Sequence, residues 1–159
     1  MRRFAIVTLV VLVVDFVTKL IVRAELPGIG HSVSVLGDVV RLTHVRNTGS
    51  AFSLMQGGRI FFIGFSLVSI VMILLLVKQA RYRTPGFGYA LGMILGGAFG
   101  NLVDRVFRGA VTDWVDVGVP SYRWPTFNVA DVGVSVGVCL LALLLLRGAR
   151  AQPPATTGS

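Results

Sequence analysis

Four apolar runs, each close to the length of a membrane crossing, constrain this chain more than any other feature. They cover roughly residues 4–23, 60–78, 86–107 and 128–147. A spanning helix needs about 20 mainly apolar residues. The second and fourth runs are nearly uniform. The first is interrupted by Asp15 and Lys19, and the third ends in Asn101, Asp104 and Arg105. Only 14% of the residues are charged and 54% are hydrophobic, where a soluble domain carries about a quarter charged. The pattern predicts a four-helix polytopic membrane domain over residues 1–150, of all-α class, with a disordered Pro/Thr/Ser-rich tail at 151–159.

The net charge of +8 invites a nucleic-acid reading, but its placement argues for topology. Arg2 and Arg3 precede the first run, Lys78, Arg81 and Arg83 lie between the second and third, and Arg147 and Arg150 follow the fourth. No acidic residue lies in these segments. Lys/Arg in short loops stay cytoplasmic, so both termini and the middle loop are expected there. Contact with anionic membrane lipids follows as a side effect. Residues 1–14 resemble a secretory signal peptide. The run resumes after Lys19 without a small-x-small cleavage site, so it reads as a retained first helix. Cys139, the only cysteine, lies in an apolar run and reads as packing.

The remaining loops are then extracytoplasmic. In the first, about 24–59, β-branched residues around Val33 and Val35 and between Leu42 and Arg46, with Gly37-Asp38 as a turn signal, predict a small sheet. Phe52, Leu54 and Met55 are placed on the membrane surface. The second, about 109–127, carries Trp114, Tyr122 and Trp124 and is expected at headgroup level. Glycines at 88, 92, 96 and 100, and at 133 and 137, form stripes that let helices approach closely.

The chemistry concentrates at one end. Asn128 and Asp131 are three apart, Asn101, Asp104 and Arg105 sit at the outer end of the third run, and Asp113 follows in the loop. A carboxylate near hydrocarbon costs a few kcal/mol and marks a functional candidate. One reading is a buried hydrogen-bond network that joins helices; it suits Asn101, Asp104 and Arg105. The other is a pair of carboxylates sharing one proton, so that one is acid and the other base. The residue types alone leave Asp104 and Asp113 both open as the partner of Asp131. Asp15 and Lys19, four apart, read first as a lateral ion pair, with orientation of the site as the alternative. His31 and His44 read as isolated loop histidines. No HExxH, Cys/His cluster, Ser-x-x-Lys or Gly-x-Ser-x-Gly occurs, so neither a metal centre nor a serine hydrolase is expected.

Five blocks carry a resemblance: Asp15-Phe16-Val17-Thr18-Lys19; Asn47-Thr48-Gly49-Ser50-Ala51-Phe52; residues 96–105, ending Asn101-Leu102-Val103-Asp104-Arg105; Val111-Thr112-Asp113-Trp114; and Phe127-Asn128-Val129-Ala130-Asp131. In this order and spacing the chain resembles the bacterial lipoprotein signal peptidases, four-helix membrane aspartic proteases. The resemblance covers nearly all of residues 4–147. It implies a catalytic pair of Asp113 and Asp131. Asn47, Gly49, Asn101, Asp104, Arg105, Asn128 and Ala130 are then supporting or substrate-binding, and Asp15 and Lys19 structural. It also implies diacylglyceryl-prolipoprotein substrates, inhibition by the cyclic peptide globomycin, no cofactor, and residence in the cytoplasmic (inner) membrane with the site near its outer face. Trp114 stands where the family usually has Phe, and Phe16 where Gln is common. Two rival classes remain: a small transporter using Asp15, Lys19, Asp104 and Asp131 as a charged pathway, and a lipid-binding assembly subunit. The absence of internal repeats weighs against the transporter.

Overall fold

The computed structural model describes residues 1–49, 58–79 and 85–150. Its elements run α1 (Arg2–Glu25), β1 (Ser32–Leu36), β2 (Val40–Asn47), α2 (Gly58–Lys78), α3 (Pro85–Arg108), β3 (Val111–Val119), β4 (Tyr122–Arg123) and α4 (Val129–Arg150). Residues 50–57, with the expected surface residues Phe52, Leu54 and Met55, fall outside the described residues. So do Arg81, Arg83 and the 151–159 tail.

All four helices are long and apolar enough to cross a membrane. Their large side chains point outward as often as inward: Leu9, Val13, Phe65, Val68, Leu143 and Leu146 are exposed. That is the pattern of a bundle whose solvent is lipid.

The central helix is α3, which packs against the other three. Glycine makes this possible, because without a hydrophobic drive between helices close backbone approach must hold the bundle. The stripe Gly92 and Gly96 meets α1: a Cβ on Gly96 would lie 2.7 Å from the Thr8 carbonyl oxygen. Gly97, outside that stripe, meets α4, where a Cβ would be driven into the Ala130 carbonyl. Gly97→Ala is therefore expected to push α4 away from α3 and destabilise the bundle by about 1–3 kcal/mol. A thermal midpoint in detergent equal to wild type would refute this contact. Apolar packing of Ile70, Ile73, Val77, Leu91, Ile94 and Leu95 fills the α2–α3 seam.

The sheet corrects two expectations. It is four-stranded and antiparallel, in the order β1-β2-β3-β4, so it is not confined to the first interhelical loop and the all-α label does not describe the chain. The turn at Gly37 forms the β1–β2 hairpin as expected, but β2 then pairs along its length with β3, Val40 opposite Val117 and Asn47 opposite Val111. The second loop is thus mostly strand. Its β-branched residues at 111, 115, 117 and 119 do alternate, but the intervening aspartates and aromatics pointed to a headgroup loop instead. His44 is not isolated: its Nδ1 donates to the Leu26 carbonyl at 2.7 Å, and its backbone N–H to His31 at 2.9 Å. The ring ties the end of α1 to the sheet.

Candidate active site

The first turn of α4 organises the site. Asn128 is the residue before the helix, and its Oδ1 accepts the Asp131 backbone N–H at 3.0 Å. In return Asp131 Oδ2 accepts the Asn128 backbone N–H at 3.1 Å. This reciprocal capping box satisfies two otherwise orphaned helix donors and fixes the Asp131 carboxylate at the positive end of the helix dipole. The sequence reading set both residues on one helical face. The N-x-x-D spacing ahead of an apolar run was the signal for the cap.

The side-chain amide of Asn128 points the other way, donating to Asp113 Oδ1 at 2.6 Å. A single fully buried asparagine therefore touches both carboxylates. The second oxygen of Asp113 accepts from Asn47 Nδ2 at 2.8 Å. Asn47 is itself oriented, because its Oδ1 accepts the Gly49 N–H at 2.8 Å in an Asx-type turn, where Gly49 has φ +88°. Only glycine takes that conformation without strain. Asp113 and Asn47 come from β3 and β2, the strands that cross between the interhelical loops. A bulge in β2 between Leu42 and Val45 lies across from Trp114, and such irregularities re-aim neighbouring side chains.

Asp131 Oδ1 accepts from Asn101 Nδ2 at 2.8 Å. Behind Asn101 lies Lys19, only 2% exposed. Its ammonium reaches Asp15 Oδ2 at 2.8 Å, Asn101 Oδ1 at 3.0 Å and Asp104 Oδ2 at 3.3 Å. Three donors meet three acceptors. Asp15 also accepts the Ala130 N–H at 2.9 Å, so α1 supplies an N-terminal cap to α4. The lateral Asp15–Lys19 pair exists, yet both members also reach the elements that hold the carboxylates. Ala130 is fully buried between that cap and the Gly97–Gly100 surface, which leaves no room for a larger residue.

Asp104 is turned away from Asp131. It accepts the Thr112 N–H at 3.0 Å and faces Lys19, Arg23 at 3.6 Å and Arg108 at 3.5 Å. Of the two aspartates left open by the residue types, Asp113 is the one that shares Asn128 with Asp131. The sequence assigns no role to Arg23, and none to Thr112 beyond its place in the block around Asp113. Thr112 Oγ1 accepts from Arg23 at 3.0 Å, and together they hold the start of β3 against α1. Arg105 makes no ion pair among the described residues. Its guanidinium lies 5.1 Å from the Phe62 ring centroid, a cation–π contact. With Asn101 and Asp131 it forms the polar end of a cavity of about 440 Å³ between α2, α3 and α4, whose remainder is lined mainly by apolar side chains such as Phe65, Ile94 and Val138. Such a volume suits an extended peptide segment or part of an acyl chain.

The electrostatics separate the aspartates. Burial pushes the Asp113 carboxyl up from 3.8 to about 6. The hydrogen bond from Asn47 opposes this, the charge of Asp131 adds to it, and Asn128 and Lys19 act downward. Asp116 behaves oppositely. Desolvation acts upward on it, but hydrogen bonds from Arg123 at 2.6 Å and Thr43 at 2.8 Å hold it below the ordinary carboxylate range. It braces the sheet.

The raised Asp113 value has a consequence for stability. Between pH 3.8 and 6 the folded state holds a proton that the unfolded state releases, so stability falls as pH rises through that window. The full cost, about 3 kcal/mol, is present above it. Thermal midpoints of wild type and Asp113→Asn are expected to diverge in favour of the variant as pH rises from about 4 to 7. The gain is partly offset, because the new amide sets a donor against Asn47 or Asn128. A wild-type-minus-variant difference independent of pH would refute the raised value.

A family model described as signal peptidase II matches residues 7–147. A lipoprotein signal peptidase of Halalkalibacterium halodurans is 40% identical over 92% of this chain and 94% of its own length. One of Geobacter metallireducens is 40% identical over 95% and 94%. Two solved structures of a bacterial membrane enzyme, crystallised in meso at 2.3 and 1.9 Å, superpose with TM-scores of 0.81. They are 28% and 31% identical and cover 98% and 90% of this chain, and 94% and 92% of their own.

Proposed function

This chain belongs to the signal peptidase II family, and on that premise we propose that Asp113 and Asp131 are its catalytic pair, acting on prolipoproteins that carry a diacylglyceryl group on the lipobox cysteine. It is a multi-pass membrane protease that removes signal peptides from prolipoproteins. The cut falls on the amino side of the modified cysteine.

One observation carries the proposal: two carboxylates from different elements grip one buried asparagine at the rim of an apolar cavity. We assign the shared proton to Asp113, the carboxyl that burial and its neighbour's charge push up. A water between the two loses a proton to the Asp131 carboxylate as it attacks the scissile carbonyl. The Asp113 carboxylic acid donates a hydrogen bond to the developing oxyanion. The proton gathered on Asp131 then goes to the leaving amine as the C–N bond breaks. Asn101 and the capping box hold Asp131, and Asn47 and Asn128 hold Asp113, so little reorganisation is needed. Arg105, with no ion-pair partner among the described residues, is placed to donate from its guanidinium to substrate carbonyl oxygens. Membrane lipid and the acyl chains of the substrate occupy the apolar walls.

The basic termini and middle loop support a topology with both chain ends in the cytoplasm. The sheet and the dyad then lie at the outer face of the cytoplasmic membrane, where the modified cysteine emerges. On the same reading the cyclic peptide globomycin is an expected inhibitor. The test is an assay with purified diacylglyceryl-prolipoprotein and its unmodified counterpart. Cleavage of the first and not the second is expected, with loss of cleavage in both Asp→Asn variants.

A further inference from the structure

Cations at the end of the bundle remote from the site are accounted for by topology. The end that carries the site is also rich in arginine, and most of these have a carboxylate. Arg41 pairs with Asp38, Arg123 with Asp116, and Arg23 and Arg108 share Asp104. Arg105 faces the cavity. Arg46 and Arg59 are exposed and have no carboxylate within ion-pair distance among the described residues.

These two come from different elements, the end of β2 and the first turn of α2, and converge on one point. A Cβ on Gly109 would lie 3.7 Å from Arg59 Nη1 and 3.9 Å from Arg46 Nη2. Gly109 ends α3 with φ +75°. Part of the pair's hydrogen-bonding capacity caps that helix. Arg59 donates to the Arg105 carbonyl at 2.9 Å and the Val106 carbonyl at 2.8 Å, and Arg46 to the Arg108 carbonyl at 3.3 Å. A helix C-terminus carries only about half a negative charge, so it offsets a fraction of two guanidinium charges. Each guanidinium has five N–H donors, and most of them have no partner among the described residues.

The surroundings identify what meets these donors. Ile60 follows Arg59 and is 80% exposed, and Phe107, two residues before Gly109, is also 80% exposed. Both lie on helices long and apolar enough to cross a membrane. The paired guanidiniums therefore sit where hydrocarbon gives way to headgroups, with large apolar side chains beside them. The anion abundant at that depth is phospholipid phosphate, and planar guanidinium forks match its oxygens bidentately.

We infer that Arg46 and Arg59 clamp the phosphate of a phospholipid beside the active-site end of the bundle, with its acyl chains against Ile60 and Phe107. This makes the surface a lipid-recognition site separate from the peptidase cavity, on the outward side of α2 and α3. It also docks the start of α2 at a fixed depth in the bilayer.

The test uses the full-length protein in detergent micelles, exposed to phosphatidylglycerol or to diacylglycerol, with retained lipid counted by native mass spectrometry. Arg46→Gln is expected to retain about fivefold less phosphatidylglycerol, and Arg46→Gln/Arg59→Lys about tenfold less. Diacylglycerol retention should be unchanged in both. Equal phosphatidylglycerol retention in wild type and the double variant would overturn the inference. So would an equal fall for both lipids, because that would make the apolar wall, not the phosphate, the recognised feature. If the double variant unfolds because Arg59 also caps α3, Arg46→Gln decides alone: its one bond is long, and unchanged retention there would equally overturn the clamp.

Discussion

Asp113→Asn and Asp131→Asn are each expected to lower kcat on diacylglyceryl-prolipoprotein by about 10⁴-fold or more, with the fold intact. The magnitude follows from residues that act as a unit: losing one member of a catalytic set costs nearly as much as losing all. An asparagine can neither take a proton from water nor give one to the leaving amine. Shape is nearly conserved, so the structural cost is small. In Asp131→Asn the side-chain oxygen still accepts either the Asn101 amide or the Asn128 N–H, at 2.8 and 3.1 Å in the wild type. Asp104→Asn is the informative control. Asp104 faces three cations and the Thr112 amide, not the cavity, so its loss should show mainly in stability. Vigorous turnover by a well-folded Asp131→Asn enzyme would defeat the assignment, and so would a kcat loss in Asp104→Asn equal to that of the dyad variants.

The second large effect is expected at Lys19. Replacing it by Met keeps the length of the side chain and removes its charge. Asp15 and Asp104 then remain buried, at 1% and 4% exposure, each without its ammonium partner. Breaking a buried ion pair from one side costs about 3–5 kcal/mol, because the stranded charge cannot return to water. Thermal inactivation in detergent should register that loss. Activity should fall beyond the loss of folded protein, because Lys19 fixes the Asn101 amide that donates to Asp131. The double variant Lys19→Met/Asp15→Asn should recover part of the stability, since the pair is then removed together. A single variant as stable as wild type would show that the ammonium is dispensable. Failure of the double variant to recover any stability would show that the Asp15–Ala130 cap, and not the ion pair, dominates.

How much of this was legible in the chain differs by kind of information. Helix positions could be read because lipid demands long apolar runs, and such runs are local in sequence. The expected bounds 60–78 and 86–107 differ from the observed Gly58–Lys78 and Pro85–Arg108 by a residue or two. The β1–β2 hairpin was equally legible, from Gly37 and alternating β-branched residues. Pairing of β2 with β3 was not, because it joins segments some seventy residues apart and leaves no local period. The site residues were legible as a set of polar types at one depth. Their geometry was not. The capping role of Asn128 had a local signal in its spacing from Asp131, whereas the bridge from its amide to Asp113 had none.

From the sequence by itself came the membrane class, the count of crossings, the expected topology and a short roster of residues worth the cost of burial. All of these rest on composition and on spacing within one segment. The residue types left Asp104 and Asp113 both open, the family blocks pointed to Asp113, and the tertiary structure shows Asp113 and Asp131 sharing Asn128. Asp104 and Asp113 are the same residue type, and both precede Asp131 in the chain. What separates them is that the α1 cation Lys19 and the α3 register claim Asp104, while β2 and the α4 cap bring Asn47 and Asn128 to Asp113. Burial depends on what packs above and below a residue, and so does the upward push on the Asp113 carboxyl. That is set by contacts between distant segments, which no single stretch of sequence contains.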